Sequence, residues 1–335
     1  MPTSNPSNAT AGATDSRTGR FNYMNEHATP SLFRNGLVYT KRDKDGSDGG
    51  SVGVEVAKYE INVLDARALS GVARKTCERN GFEMLSQPLE SPGLDFFDHK
   101  QVVQRYYKEC EALVAAETGA RAFAFDHNVR SAQGKSNKTR IAGGQQVQGP
   151  AKIVHGDYTL VSAPQRLQDL ANPPAVNDTL RTVLPPGAAL IDQGDVAAAL
   201  DPGGRFAIIN VWRNIADQPV QVDPLAMCDA QSVTPEDLVT FEIHYHDRIG
   251  ENYFAKHNPA HQFYFFPELT RDEPLLLKQW DSAGTLATTN GEQGDSAAPE
   301  VPSTFSFHSA FDDSSIADTA PDRWSIEVRC LVLYP

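Results

Sequence analysis

The tail of the chain carries the clearest two-residue alternation. From Arg323 to Tyr334 the positions Arg323, Ser325, Glu327 and Arg329 fall on one face, with Ile326, Val328, Cys330 and Val332 on the other. This predicts a final strand with an apolar back and a polar front, and a polar inner face suits a ligand cavity. A different period holds from Asp98 to Glu117, where Val102, Val103, Tyr106, Tyr107, Cys110, Leu113 and Val114 recur at helical spacing. A second helix is expected over Ala66 to Arg79, and shorter ones over Gln165 to Ala171 and Val196 to Leu200. Apolar runs predict strands over Ser31 to Tyr39, Ala122 to Phe125, Phe206 to Trp212, Leu238 to Tyr245, Gln262 to Phe266 and Leu275 to Trp280.

Many strands with few long helices, gathered towards the front, suit a mainly β fold with flanking helices (α+β), a jelly roll rather than a parallel βαβ arrangement. Breaks divide the rest. Met1 to about Arg20 reads as a disordered leader, and Lys41 to Gly53 as a charged Gly/Asp loop. Residues 21–335 are then expected to form one domain with loop insertions at about 131–150 and 285–304. The first insertion carries Lys135, Lys138, Arg140 and Gly143-Gly144, and is either a lid or a surface loop.

At 335 residues and 40% hydrophobic composition, one barrel-like domain can bury a large core. A net charge of −13 argues against nucleic acid as a partner, since an acidic chain is repelled by phosphates. Cys77, Cys110, Cys228 and Cys330 are widely spaced, suggesting neither a zinc knuckle nor a redox dithiol. No apolar run approaches the roughly 20 residues of a membrane span, and the first residues lack a signal-peptide core. The expected location is cytoplasmic, with a small-molecule substrate and no membrane partner; a homodimer stays open.

Candidate chemistry centres on His155-Gly156-Asp157 and a distant His308. Residues i and i+2 of a strand point the same way, so His155 and Asp157 can bind one ion. Two imidazoles and one carboxylate take three octahedral positions and leave three open, the donor set of a non-haem Fe(II) centre. Downstream, a guanidinium fork at Arg323 beside the Ser325 hydroxyl suits the distal carboxylate of a 2-oxo acid.

His-x-Asp, a late His and Arg-x-Ser resemble the Fe(II)/2-oxoglutarate-dependent oxygenases of the double-stranded β-helix (jelly-roll) fold. More narrowly, Phe125-Asp126-His127-Asn128-Val129-Arg130, Val154 to Thr159, Ile209-Asn210-Val211-Trp212-Arg213, Pro224 to Asp229, Asn258 to Pro267 and the tail from Phe307 to Val332 resemble the hydroxylase/desaturase family of fungal secondary metabolism, which includes the gibberellin desaturase. The likeness runs from about residue 30 to the end. Asn128 stands where a Thr is expected, Gly156 is smaller than the usual residue between the ligands, and Trp324 lies inside the Arg-x-Ser pair. These departures leave every ligand in place and bear on the substrate.

The resemblance implies Fe(II) held by His155, Asp157 and His308, with 2-oxoglutarate as co-substrate at Arg323 and Ser325 and O₂ as oxidant. It further implies oxidation of a small secondary metabolite by hydroxylation, desaturation or oxidative cyclisation, with succinate and CO₂ as co-products. Arg329 shares the Arg323 face and is its rival for the 2-oxoglutarate carboxylate. Arg213 ends an apolar strand and must be paired or touch a ligand, because a buried unpaired guanidinium is too costly. Arg213 and Arg329 are therefore alternative sites for a substrate carboxylate, and His127 and His261 are structural or substrate-facing. His244-Tyr245-His246-Asp247 offers a competing zinc-type cluster, but no His-Glu-x-x-His helix accompanies it. A metal-dependent hydrolase or isomerase on the same triad, and a non-catalytic scaffold in a biosynthetic pathway, are the other function classes.

Overall fold

The computed structural model describes residues 16–42, 48–175, 178–246, 248–317 and 319–335, and its frame is β-sheet. The strands of the first half are β1 (Ser16–Met24), β2 (Tyr39–Arg42), β3 (Asp48–Val52), β4 (Val56–Asp65), β5 (Phe82–Met84), β6 (Arg121–Arg130) and β7 (His155–Gly156). They are followed by β8 (Phe206–Asn214), β9 (Leu225–Cys228), β10 (Leu238–His244), β11 (Ile249–Ala255), β12 (Phe263–Phe265), β13 (Leu275–Asp281), β14 (His308–Ala310), β15 (Asp312–Asp313) and β16 (Ser325–Leu333). Two sheets result, one of eleven strands in the order β15-β1-β4-β12-β9-β14-β7-β11-β10-β2-β3 and one of five in the order β5-β13-β8-β16-β6.

Alternation along β16 decides how the smaller sheet is used. Ile326, Val328, Cys330 and Val332 join a buried cluster with Val102, Tyr106, Cys110 and Val114 of the helical segment His99–Thr118, which covers the outer face. Asp98 starts that segment by accepting the backbone N–H groups of Lys100 and Gln101, and Gly119 stops it in the left-handed region at φ 67°. Each apolar side chain buried here contributes about 1.5–3 kcal/mol. The opposite face of β16 points between the sheets. Phe21 packs on Phe263 and Phe311, at ring-centroid distances of 4.8 and 5.3 Å, in a core cluster shared with Phe206, Ile208 and Leu331 of the smaller sheet.

The long helix and the strands expected over Phe206–Trp212, Leu238–Tyr245, Gln262–Phe266 and Leu275–Trp280 lie within a few residues of their expected places. Other expectations fail. Ala66–Arg79 is not one helix but three short turns, at Ala66–Ala68, Gly71–Ala73 and Cys77–Asn80, because Gly71 adopts φ 58° and interrupts it. Residues 16–20 of the expected leader are strand, since all of β1 pairs in register with β4; residues 1–15 lie outside the described ones. Ser31–Tyr39 holds a single bridge at Ser31 before β2 begins, and the expected 41–53 loop is largely the β2–β3 hairpin, its residues 43–47 being outside the described ones.

Both insertions are anchored. The Ser131 N–H donates to the Gln148 carbonyl at 2.8 Å and the Ser131 hydroxyl bonds Asp322. Asp295 accepts from the backbone and hydroxyl of Thr304, each at 2.7 Å. All four cysteines are free and buried. Among the described residues no helix is long and apolar enough to cross a membrane.

Candidate metal centre and adjoining cavity

His155 and His308 are direct cross-strand partners on β7 and β14, with ring centroids 4.4 Å apart. Asp157 follows two residues after His155 on the same side, and one ligand atom from each of the three residues lies within 4.8 Å of the others. Gly156 between them has no side chain to hold back Phe305, whose ring atoms would stand 3.0 Å from an added Cβ. That packing accounts for the small residue at this position.

Main-chain carbonyls fix both imidazoles. The Nδ1 of His155 lies 2.8 Å from the Ile153 carbonyl, and that of His308 faces the Ser306 carbonyl at 3.5 Å. Nδ1–H is the donor in each case, so Nε2 keeps its lone pair for a metal. Burial, reinforced by His308, lowers the His155 pKa to about 4; burial also lowers that of His308. Both rings are therefore neutral at pH 7, the state that ligates.

Asp157 is oriented by residues from three strands of the opposite sheet. Its Oδ2 accepts from Asn210 Nδ2 at 3.2 Å and from Nε and Nη2 of Arg329 at 3.3 Å. Its N–H donates to Gln279 Oε1 at 3.2 Å. Oδ1 is left on the side of His155 Nε2, 3.7 Å away. Burial opposes ionisation, yet Arg329, with the two imidazoles and Arg130, holds Asp157 well below the usual carboxylate range. Arg329 also binds Asp126 at 3.0 Å and Glu327 at 3.4 Å. Despite burial, these carboxylates keep its guanidinium charged.

A narrow cavity opens beside the two imidazoles, walled by Ala151, Trp212, Leu225 and Ala310 and carrying Arg130, Arg323 and Glu327. Arg323 is 3% exposed, donates Nη1 to the Asp223 carbonyl and has a buried Nε with no partner among the described residues. The buried Ser325 Oγ is likewise unpartnered. Burial, opposed by Asp223 and aided by Arg130, lowers the Arg323 pKa to about 10. A lone pair of donors in a dry wall is the environment a carboxylate would satisfy. The residues present thus fit both a divalent metal and a carboxylate-bearing co-substrate.

The chain matches the family described as "Oxidoreductase/YMDC permease-like domain" over residues 21–184 and 188–333. It belongs to that family. Among relatives, it is 42% identical over 195 residues to an uncharacterized protein of the dcmA 3′ region of Methylophilus leisingeri, covering 58% of this chain and 88% of that protein. It is 29% identical over 308 residues to the hydroxylase/desaturase efuI of Hormonema carpetanum, covering 85% and 88%. With the α-ketoglutarate-dependent dioxygenase phiK of a fungal species the identity is 27% over 310 residues, covering 89% and 95%. The solved structure of the iron and α-ketoglutarate-dependent endoperoxidase NvfI superposes with a TM-score of 0.69 at 19% identity, over 95% of this chain and 98% of that one. That likeness establishes the fold, mainly β with few helices.

In this oxidoreductase-family chain, Arg213, His127 and His261, each expected either in a structural pairing or at a substrate, have structural partners. Arg213 sits on the outer face of β8, where Nη2 pairs with Glu109 at 3.1 Å, Nε donates to Tyr106 and Nη1 to the Gln87 and Arg271 carbonyls. His127 lies under the helix, bonded to the Tyr107 hydroxyl at 2.8 Å and stacked on His99. His261 bridges the Tyr23 hydroxyl and Asp237. Arg329 is also no free carboxylate receptor, since it serves Asp157, Asp126 and Glu327. Of the competing cluster, His244 bonds Glu242 at 2.8 Å and His246 is exposed; Asp247 is outside the described residues. Asn210, Gln279 and Arg130 were not singled out by sequence reasoning. Alternation along β6 placed Asp126, Asn128 and Arg130 on one face and was the available signal for the last of them.

Burial, opposed by Asp126 and aided by His99 and Arg329, lowers the His127 pKa to about 4 from 6.5. The folded state thus holds the neutral ring. Its contribution to stability is complete above 6.5 and is lost as pH falls towards about 4. Urea unfolding of the metal-free protein should show the loss, on the order of 3 kcal/mol from this residue. His127→Gln should flatten the slope in that window, and an unchanged slope would contradict the assignment.

Proposed function

We propose that this chain is an Fe(II)/2-oxoglutarate-dependent oxygenase that oxidises an unactivated C–H bond of a small secondary metabolite by hydroxylation, desaturation or oxidative cyclisation. The observation that carries the reading is one cavity lined by His155 and His308 of the His155–Asp157–His308 cluster and by Arg323, whose Nε, like the Oγ of nearby Ser325, has no partner among the described residues. The dioxygenase and hydroxylase/desaturase names of relatives matched over most of the chain support it.

A double-stranded β-helix is supported by the strand order. β6, β7, β8 and β9 fall alternately in the smaller and larger sheets, and β12, β13, β14 and β16 alternate again. The eight make two four-strand arrays, β13-β8-β16-β6 facing β12-β9-β14-β7, with β10–β11 as an added hairpin.

Each group has a definable task. His155 and His308 present Nε2, because Nδ1 is committed to a carbonyl. Asp157 presents Oδ1, because Asn210 and Arg329 occupy Oδ2. Arg323 and Ser325 receive the distal carboxylate of the 2-oxo acid, which aims its oxo-acid end at the triad. Trp212, Leu225 and Ala310 exclude water from that end. When bound, the iron supplies O₂ activation coupled to decarboxylation of the co-substrate to succinate and CO₂.

The test is the anaerobic visible spectrum of the protein with Fe(II) and 2-oxoglutarate. A weak metal-to-ligand charge-transfer band is expected, and Arg323→Ala should shift its half-saturation to higher 2-oxoglutarate by roughly 1.5–3 kcal/mol. Iron binding without any band would sink the 2-oxoglutarate reading and favour hydrolytic or isomerising use of the triad.

A further inference from the structure

The guanidiniums of Arg130, Arg213, Arg323 and Arg329 divide into two kinds. Arg213 and Arg329 each face carboxylates, Glu109 for the first and Asp126, Asp157 and Glu327 for the second. Arg130 and Arg323 instead donate only to main-chain carbonyls, of Gly149 at 3.0 Å and of Asp223, and neither forms an ion pair among the described residues. Both line the cavity beside the metal ligands. Strand register brings them together: Arg130 on β6 is the Cα partner of Ser325 on β16, two residues after Arg323. Burial disfavours both charges, Arg130 further disfavours that of Arg323, and Arg329 that of Arg130, while Glu327 favours both.

Two cations without an ion pair among the described residues, beside one unpartnered hydroxyl, leave donors unused at the cavity wall. They are relieved by an anion with enough acceptor sites for both. A carboxylate offers about four lone-pair sites, enough for two guanidinium forks and a hydroxyl. Glu327 favours both charges from the cavity wall, but its ion pair among the described residues is with Arg329 at 3.4 Å.

We propose that Arg130 is a second co-substrate-binding residue, holding the distal carboxylate of 2-oxoglutarate jointly with Arg323 and Ser325. The inference rests on the 2-oxoglutarate reading above. It also gives Arg130 a different fate from a substrate-recognising arginine, which would leave co-substrate affinity untouched.

The experiment is anaerobic calorimetric titration of the Fe(II)-loaded protein with 2-oxoglutarate and with 2-oxovalerate, which has a methyl in place of the distal carboxylate. Arg130→Gln should weaken 2-oxoglutarate by at least about tenfold while leaving 2-oxovalerate unchanged, collapsing the discrimination between them. Arg130→Lys, which keeps charge but not the fork, should fall between. Both affinities are read on variants whose circular dichroism matches wild type, because Arg130 also donates to the Gly149 carbonyl and favours the Asp157 charge. An unchanged ratio of the two affinities in Arg130→Gln, whether both hold or both fall, would overturn the proposal. Failure of the parent reading looks different: the wild-type protein would itself not prefer 2-oxoglutarate.

Discussion

Replacing His308 by Ala should lower Fe(II) affinity by more than about 100-fold and remove turnover, with little change in the circular dichroism of the metal-free protein. Losing even an outer-shell partner of a ligand costs about 10–100-fold in metal affinity, so losing a ligand should cost more. His155 and Asp157 alone would leave the ion two protein donors. The fold does not depend on the imidazole in the same way, because its charge is already suppressed by burial and its hydrogen bond among the described residues is a long one to the Ser306 carbonyl at 3.5 Å. His308→Gln, which keeps more of the volume, should give the same loss of metal. Anaerobic titration with Fe(II) decides it, and retention of wild-type affinity would remove His308 from the centre.

Arg329→Met should destabilise the metal-free protein by about 3–5 kcal/mol at pH 7, since removing one partner strands buried charge. Here three carboxylates are stranded at once: Asp157, Asp126 and Glu327, at 3.3, 3.0 and 3.4 Å from the guanidinium. The pH dependence should change with it. In wild type the depressed pKa of Asp157 gives stability that is present above the ordinary carboxylate value and lost as pH falls through the folded one. Without Arg329 that contribution is absent, so acidification should cost the variant less. A divalent ion should restore part of the deficit by supplying Asp157 with a new positive partner. Urea unfolding with and without the metal measures both effects. A deficit under about 1 kcal/mol would mean that the ion cluster is not what holds Asp157.

The contrast between Arg323 and Arg329 marks where reading a sequence stops. A period of two assigns both to one face of β16, and it did so from the residues alone. It does not say which of them meets a counter-charge along that face. Register decides: Arg329 lies opposite Asp126 on β6 and Asn210 on β8, whereas Ser325 lies opposite Arg130. Arg213 shows the same limit from the other side. A charge at the end of an apolar strand had to be paired, but only the helix packed on the outer face supplies Glu109. His127 and His261 have local settings that permit several partners, and distant elements chose Tyr107, Tyr23 and Asp237. Strand β1 escaped because its polar residues are supported by pairing with β4 rather than by composition.

By itself the sequence determined the features that short-range geometry dictates: the shared side of His155 and Asp157, the two faces of the last strand, and the amphipathic helix from Asp98 onward. Tertiary structure alone decided that His308 stands across from His155, that Arg329 serves Asp157, and that Arg130 joins Arg323 at the cavity. Backbone periodicity acts over a few residues, whereas charge pairing and strand register are set between segments far apart in the chain, whose meeting no local pattern encodes.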